Sequence, residues 1–399
     1  MANTLKFGNG QWATGTGTAL AYNDENANYK PLPFDFTRAS SGTTVNQSGL
    51  IETVGSGTPR IDFEGNTKGA LLLEPSRTNL ITYSQDFSQG WNLSSATITS
   101  NSIISPDGLV NATTLDISAF GGGLADSFSV SNGNVTFSLF VKKGTTNGIR
   151  LRIDASTDSN GFFDLVNNTV YSSTDNASIE SYGNDWYKVS ISANITSFSK
   201  VAIYGTNGSD SYQNGNVYVY GAQLEEGSYA TSYIPTSGSA VTRVADACNN
   251  GGNDQVINST EGVLYADIAA LEIAGTVNQR AITLSGNSTN KVMLRFTLNK
   301  IQVFIIYGGS LVSNLFSPTL TDIKSFNKVA FKYKSSGDNA LWVNGTEVAT
   351  SNDSFTFTSN LNLLKFNEDG SSDFLGKTKD VRVYNEALTD AQLTVLTTL

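Results

Sequence analysis

From Pro106 to Pro235 the chain runs without a single proline. Proline has no amide N–H to give a sheet ladder, so its absence leaves a long span open to continuous strand pairing. Five segments within the span alternate apolar and polar residues: VTFSLFVKKG (135–144), IRLRIDAS (149–156), DWYKVSISANI (185–195), KVAIYGTN (200–207) and NVYVYGAQLE (216–225). A period of two is the mark of a half-buried strand. In the last segment Val217 and Val219 share one face, while Tyr218 and Tyr220 share the other.

Strands resume after residue 262, in GVLYADIAALEI, RAITLSG, KVMLRFTL, KIQVFIIYGG, FNKVAFKYK and ALWVNGTEVAT. Asn344-Gly345, set between two β-rich runs, predicts a two-residue type I′ hairpin, because both central positions need positive φ. Asn299-Lys300 predicts a second tight turn. A single helix is expected, at the C-terminal end, where Thr389 and Gln392 form a capping box and Leu393 and Leu396 share a face. The fold class is therefore all-β: two β-sandwich (jelly-roll) domains after an extended N-terminal region, with one short C-terminal helix.

Domain boundaries follow the changes in texture. Residues 1–70 are Gly-, Thr- and Asn-rich and too irregular to bury a core of their own, so they are expected to pack elsewhere and to serve attachment or oligomerisation. Residues 71–246 form the first sandwich, 247–262 a small, polar linker, and 263–399 the second sandwich. A length of 399 residues suits this division.

Composition removes several function classes. The chain has 35 acidic against 25 basic residues, a net charge of −10, with no basic cluster, so nucleic acid is not an expected partner. It contains no histidine, which takes away Ser-His-Asp and Cys-His nucleophile systems and the common zinc sites. Cys248 is the one cysteine and is expected to be a lone thiol in a loop. No apolar stretch approaches the roughly 20 residues that span a bilayer, so membrane insertion is not expected. MANTLKFGNGQWATG does not read as a secretory signal, which places synthesis in a cytoplasm.

Five segments have a more distinctive spelling: FDFTRASSGTTVNQSGLIE, TPRIDF, LLLEPSRTNLITYSQDFS, GNDWYKVSIS and GAQLEEGSYATSYIPTSGSAVTRVAD, together spanning residues 34–246. In this order they resemble bacteriophage tail-fibre and appendage proteins with a carbohydrate-binding-module-like jelly-roll. The C-terminal third, through FNKVAFKYK, ALWVNGTEVA and KDVRVYNEALTDAQLTVL, resembles a concanavalin/laminin-G-like sandwich. The resemblance implies a virion structural protein that displays binding domains, with other virion proteins as partners, a homotrimeric assembly and host-surface polysaccharide as a ligand. It supplies no catalytic set, and the chain is expected not to be an enzyme. A head fibre or capsid decoration protein is the first alternative. A polysaccharide hydrolase using paired carboxylates is the second.

Sugar binding calls for an aromatic face with amides beside it. Trp91, behind a glycine, and the loop-tip trio Tyr212, Gln213 and Asn214 fit that composition, although Trp91 suits a loop anchor better. Trp186 and Trp342 are expected in packing. Tyr229, Tyr233 and Ile234 are expected to fold back on the first sandwich, and Arg243 to pair with an acid such as Asp246. Calcium is the cation the oxygen-rich composition would take. Asp154, Asp158, Asn160 and Asp164 loosely echo a calcium loop, and Glu368, Asp369 and Asp373 crowd another turn. Acid-bearing turns are nonetheless ordinary in an acidic β-protein.

Overall fold

The computed structural model describes residues 5–10, 12–23, 28–272, 280–368, 370 and 372–399. The fold is all-β with a single short helix among these residues. It divides into two compact units. One comprises Gly42–Thr53 and Ser76–Val244; the other comprises Met1–Ser41, Val54–Pro75 and Ala245–Leu399.

The first of these is a sandwich of two six-stranded sheets. One sheet has the order Asn92–Ser94, Gly123–Asp126, Lys200–Thr206, Gly148–Asp154, Ser159–Asp164, Thr169–Ser173. The other runs Ala96–Ile104, Val110–Ile117, Gly215–Glu226, Gly133–Lys143, Trp186–Ile195, Asn176–Ser181. All five alternating segments of the sequence lie in these strands. Val217 and Val219 point into the inter-sheet core beside Leu115, Phe137, Leu151 and Ile203. Tyr220 and Tyr218 take the opposite face with Phe140, Trp186, Tyr233 and Ile51, forming a second apolar layer. Burial of this kind stabilises by about 25 cal/mol per Å² of apolar surface.

The other unit packs an eight-stranded sheet on a five-stranded one. Glu261–Ala270, Asn327–Lys334 and Gly376–Tyr384 are central in the larger sheet; Asn290–Thr297 and Lys300–Tyr307 are central in the smaller. Leu264, Phe331 and Val381 from one sheet meet Ile282, Leu294 and Val303 from the other. The helix Asp390–Thr397, N-capped by Thr389 with Gln392 completing the capping box, lies on the outer face of the larger sheet. There Leu393 and Leu396 cover Tyr265, Ala330 and Trp342.

The compact units cut the chain differently from the sequence partition at residues 70 and 246. The N-terminal residues form strands: Leu5–Gly8 and Ala70–Leu73 pair along successive halves of one edge of Gly376–Tyr384, and Arg60–Asp62 extends that sheet. Phe7, Phe34, Phe36, Leu71 and Leu73 sit in the same core as the C-terminal strands. Nor are residues 247–262 a free linker. Ala247–Asn249 pairs with Asn28–Thr37, and Cys248, Val256 and Ile257 are buried. Cys248 is thus in a strand, not a loop, and burial pushes its thiol pKa up, which keeps it protonated and unreactive. Leu5–Gly8, Ala70–Leu73 and Ala247–Asn249 find partners hundreds of residues away, which leaves no local trace in the sequence.

Two turns were predicted from dipeptides. Asn344 (φ 49°) and Gly345 (φ 86°) close the hairpin between Asn339–Val343 and Thr346–Ser351. The second turn is one residue earlier than predicted. Thr297 pairs with Lys300, so Leu298-Asn299 makes the turn, with Leu298 at φ 51°.

Candidate functional site

The distinctive segments carry two buried polar networks. In the unit that includes both chain ends, Arg38, Arg60, Glu74 and Asp246 are all nearly inaccessible. Arg38 Nη1 donates to Asp246 Oδ1 at 3.1 Å, and Arg60 donates to Glu74 Oε2 at 2.7 Å and to Asp246 Oδ2. The Glu74 main-chain N–H also donates to Asp246 Oδ2, at 2.8 Å. Burial works against the charge on Arg60. The two carboxylates outweigh it and hold the Arg60 pKa above its usual value. Removing one partner from such a set costs about 3–5 kcal/mol, because a buried charge is left uncompensated.

The other network lies within the six-stranded sandwich. Asn79 Nδ2 donates to the carbonyls of Ala222 (3.1 Å) and Ile234 (2.9 Å). Glu225 accepts from the Thr231 N–H at 2.8 Å and the Thr231 hydroxyl at 2.6 Å. Arg243 donates to Ser232 Oγ at 2.9 Å. These bonds pin residues 228–236 onto the strand Gly215–Glu226. Tyr233 and Ile234 are buried as expected, and the Arg77 guanidinium lies 5.5 Å from the Tyr229 ring. Asp246 takes Arg38 and Arg60, where the sequence suggested Arg243. The distinctive spelling is therefore the spelling of an architecture.

The residues singled out for sugar binding have more modest roles. Trp91 is 7% exposed, packs on Phe87 and donates its indole N–H to the Tyr83 carbonyl, so it anchors its loop. Tyr212 is turned onto the core with its hydroxyl shut in. Gln213 Oε1 accepts the Asn147 N–H at 2.8 Å, leaving Asn214 alone of the trio exposed. Trp186 and Trp342 are buried in packing.

The four calcium candidates do not converge either. Asp154 pairs with Arg152 and Lys200, Asp158 with Arg152, and Asn160 Oδ1 accepts from Arg150. Asp164 lies opposite Gly148, at the far end of the hairpin. It accepts from the Asn167 side-chain amide and from the N–H groups of Asn167 and Val166, and these bonds outweigh desolvation and lower its pKa. In the second turn Asp369 lies outside the described residues, and Glu368 pairs with Lys291 and Arg295. Among the described residues no three Asp, Glu, Cys or His side chains gather as a metal site.

What the sandwich does present is a row across the outer face of the first sheet. Ile149, Leu151 and Ile153 are fully buried in the core, so Arg150 and Arg152 face outward. Strand register places Phe162 and Tyr204 directly on either side of Arg150. The guanidinium lies 5.3 Å from the Phe162 ring centroid and 5.4 Å from that of Tyr204. Asn160 Oδ1 holds it from the side, accepting from Nε at 2.9 Å and Nη2 at 2.5 Å. All three residues of the row are half-exposed. With strands about 4.8 Å apart, the row spans roughly 10 Å.

Gly123 closes the row beyond Tyr204. A Cβ there would lie 1.9 Å from the Ile203 carbonyl oxygen and 3.1 Å from Tyr204 Cδ1, so only glycine admits this approach. Three residues before it, Phe120 stands 86% exposed, its ring edge-on to Tyr212 at 5.9 Å. Sequence reading passed over Phe120, although a bulky ring in SAFGGG has no strand to bury it. It could have shown Arg150 facing outward, but not Phe162 and Tyr204 as its neighbours, since that depends on register.

Two β-sandwich units, the second carrying a capped helix on its larger sheet, define the class: an all-β protein of sandwich build. Residues 272–394 match a laminin-G-type family model of the Concanavalin A-like lectin/glucanases superfamily. No curated protein sequence matches the chain. Solved structures with similarity include the CBM40 of the Ruminococcus gnavus IT-sialidase, at 18% identity and TM-score 0.31, covering 36% of this chain and 86% of that one. Domain 4 of AbnA, a GH43 extracellular arabinanase from Geobacillus stearothermophilus, aligns at 15% identity and TM-score 0.31, covering 43% and 82%. Trypanosoma rangeli sialidase aligns at 10% identity and TM-score 0.28, covering 99% and 94%.

Proposed function

We propose that the chain is a phage virion structural protein, a fibre or appendage subunit, that binds host-surface glycans without acting on them. The observation that carries the binding reading is the Tyr204–Arg150–Phe162 row. It combines ring surface with fixed hydrogen-bond donors on an open sheet face, the combination that sugar recognition uses. The lectin-family match of residues 272–394 supports the same reading for the other unit. The virion role rests on the five segments, four of which supply the residues of the two buried networks. Trimeric display would multiply weak contacts into useful avidity.

The test is binding of the purified oligomer to host cells and to envelope polysaccharide, with a Tyr204→Ala/Phe162→Ala double variant beside it. The expected loss is about tenfold or more, with an unchanged melting curve. Absence of binding by the wild type, or equal binding by both proteins, overturns the glycan reading. Release of reducing ends from the polysaccharide overturns the non-enzymatic part. Purified particles that lack the protein overturn the virion part.

A further inference from the structure

We infer that the Arg150 row selects acidic glycans, seating a sugar carboxylate on the Arg150 guanidinium. The inference rests on the glycan-binding reading above and adds the chemical class of the sugar.

Arg150 is held differently from seven of the chain's other eight arginines, the eighth being Arg243, which donates to Ser232 and Thr231. Arg38, Arg60, Arg77, Arg152, Arg280, Arg295 and Arg382 each have a carboxylate within 4.0 Å. Arg150 is held by an amide oxygen, that of Asn160, and by two rings. An amide fixes the direction of a guanidinium without neutralising it. Asn160 uses Nε and Nη2, while Nη1 makes no hydrogen bond among the described residues and is not sealed from solvent. Donors therefore remain for a carboxylate, whose two oxygens match the guanidinium fork.

The surroundings sharpen the preference. Asp154 and Asp158 are engaged by Arg152 and Lys200; they attract Arg150 at longer range but form no ion pair with it. Phe162 and Tyr204 crowd the guanidinium and lower the local dielectric, which strengthens a charge-assisted hydrogen bond. Their ring edges are positively polarised and suit a carboxylate better than a cation. The net charge of −10 opposes an anionic ligand only at long range, and physiological salt screens it beyond about 8 Å.

The experiment uses the full chain and a panel of acidic oligosaccharides: oligogalacturonate, oligomannuronate and sialyllactose. Each is paired with its methyl-esterified or carboxyl-reduced counterpart, and affinity is measured by titration calorimetry. In the wild type an acidic member is expected to bind about 10- to 100-fold tighter than its neutral counterpart. Arg150→Gln should erase that difference by weakening the acidic member far more than its neutral counterpart, with the melting temperature read alongside. Arg150→Lys keeps the charge, loses the fork and should retain part of the selectivity. Equal affinity for acidic and neutral members overturns the inference alone, as does selectivity that survives in Arg150→Gln. Failure of every sugar to bind overturns both the inference and the glycan reading beneath it.

Discussion

Asp126 and Asp246 show how differently this chain treats buried acids. Asp246 has both oxygens committed to guanidinium groups in the core. Asp126 has the N–H of Ser127 at 2.8 Å, and its Oδ2 would lie 3.6 Å from a Cβ placed on Gly90. Desolvation dominates there and pushes the Asp126 pKa from 3.8 up to about 6, with the Ser127 bond working weakly in the other direction. A carboxyl whose folded-state pKa is raised contributes fully while it is protonated in both states, below about pH 4. That contribution is lost as the pH rises through about 6. Thermal melts of Asp126→Asn from pH 4 to pH 8 should therefore converge with the wild type at the acid end. Above pH 6 the variant should be the more stable. A constant offset across the range would show that Asp126 is already ionised throughout. The sequence shows the acid but not the burial that moves its pKa.

Elements with local causes were legible and those with distant partners were not. The helix Asp390–Thr397 could be read because its capping box and its Leu393/Leu396 stripe fall within eight residues. Replacing Thr389 by Ala removes the cap and should cost about 1 kcal/mol, read as a lower denaturant midpoint with unchanged slope. The Asn344-Gly345 hairpin was likewise written in two residues. The Leu298-Asn299 turn slipped by one position because Leu298 is an unusual residue at φ 51° and no dipeptide rule anticipates it. The site stands between these cases. The alternation in IRLRID exposes Arg150, but Phe162 and Tyr204 reach it only through two strand registers. Trp91 and Tyr212 drew attention by residue type, and both are held by packing that composition does not reveal.

For the whole molecule, the consequence of the fold is a discontinuous unit. Met1–Ser41, Val54–Pro75 and Ala245–Leu399 share one core, so no contiguous stretch of the C-terminal region carries all of it. Residues 245–399 made alone would lack Phe7, Phe34, Phe36, Leu71 and Leu73 and would uncover an edge of Gly376–Tyr384. That fragment should bind a hydrophobic dye and associate. Residues 76–244, which hold every strand of the two six-stranded sheets, should melt cooperatively as a monomer. A sharp, monomeric melt of residues 245–399 would show that the N-terminal strands are dispensable.

The pairing of Lys6 with Arg382 also sets a timetable. At about 5–20 residues per second, a ribosome needs on the order of 20–80 s to deliver the second residue after the first. During that interval the sandwich in the middle of the chain can close, while Phe7, Phe34 and Phe36 still lack the C-terminal side chains of their core. The nascent chain thus carries one unit's core incomplete through nearly all of its synthesis, so co-expressed chaperones are expected to raise its soluble yield.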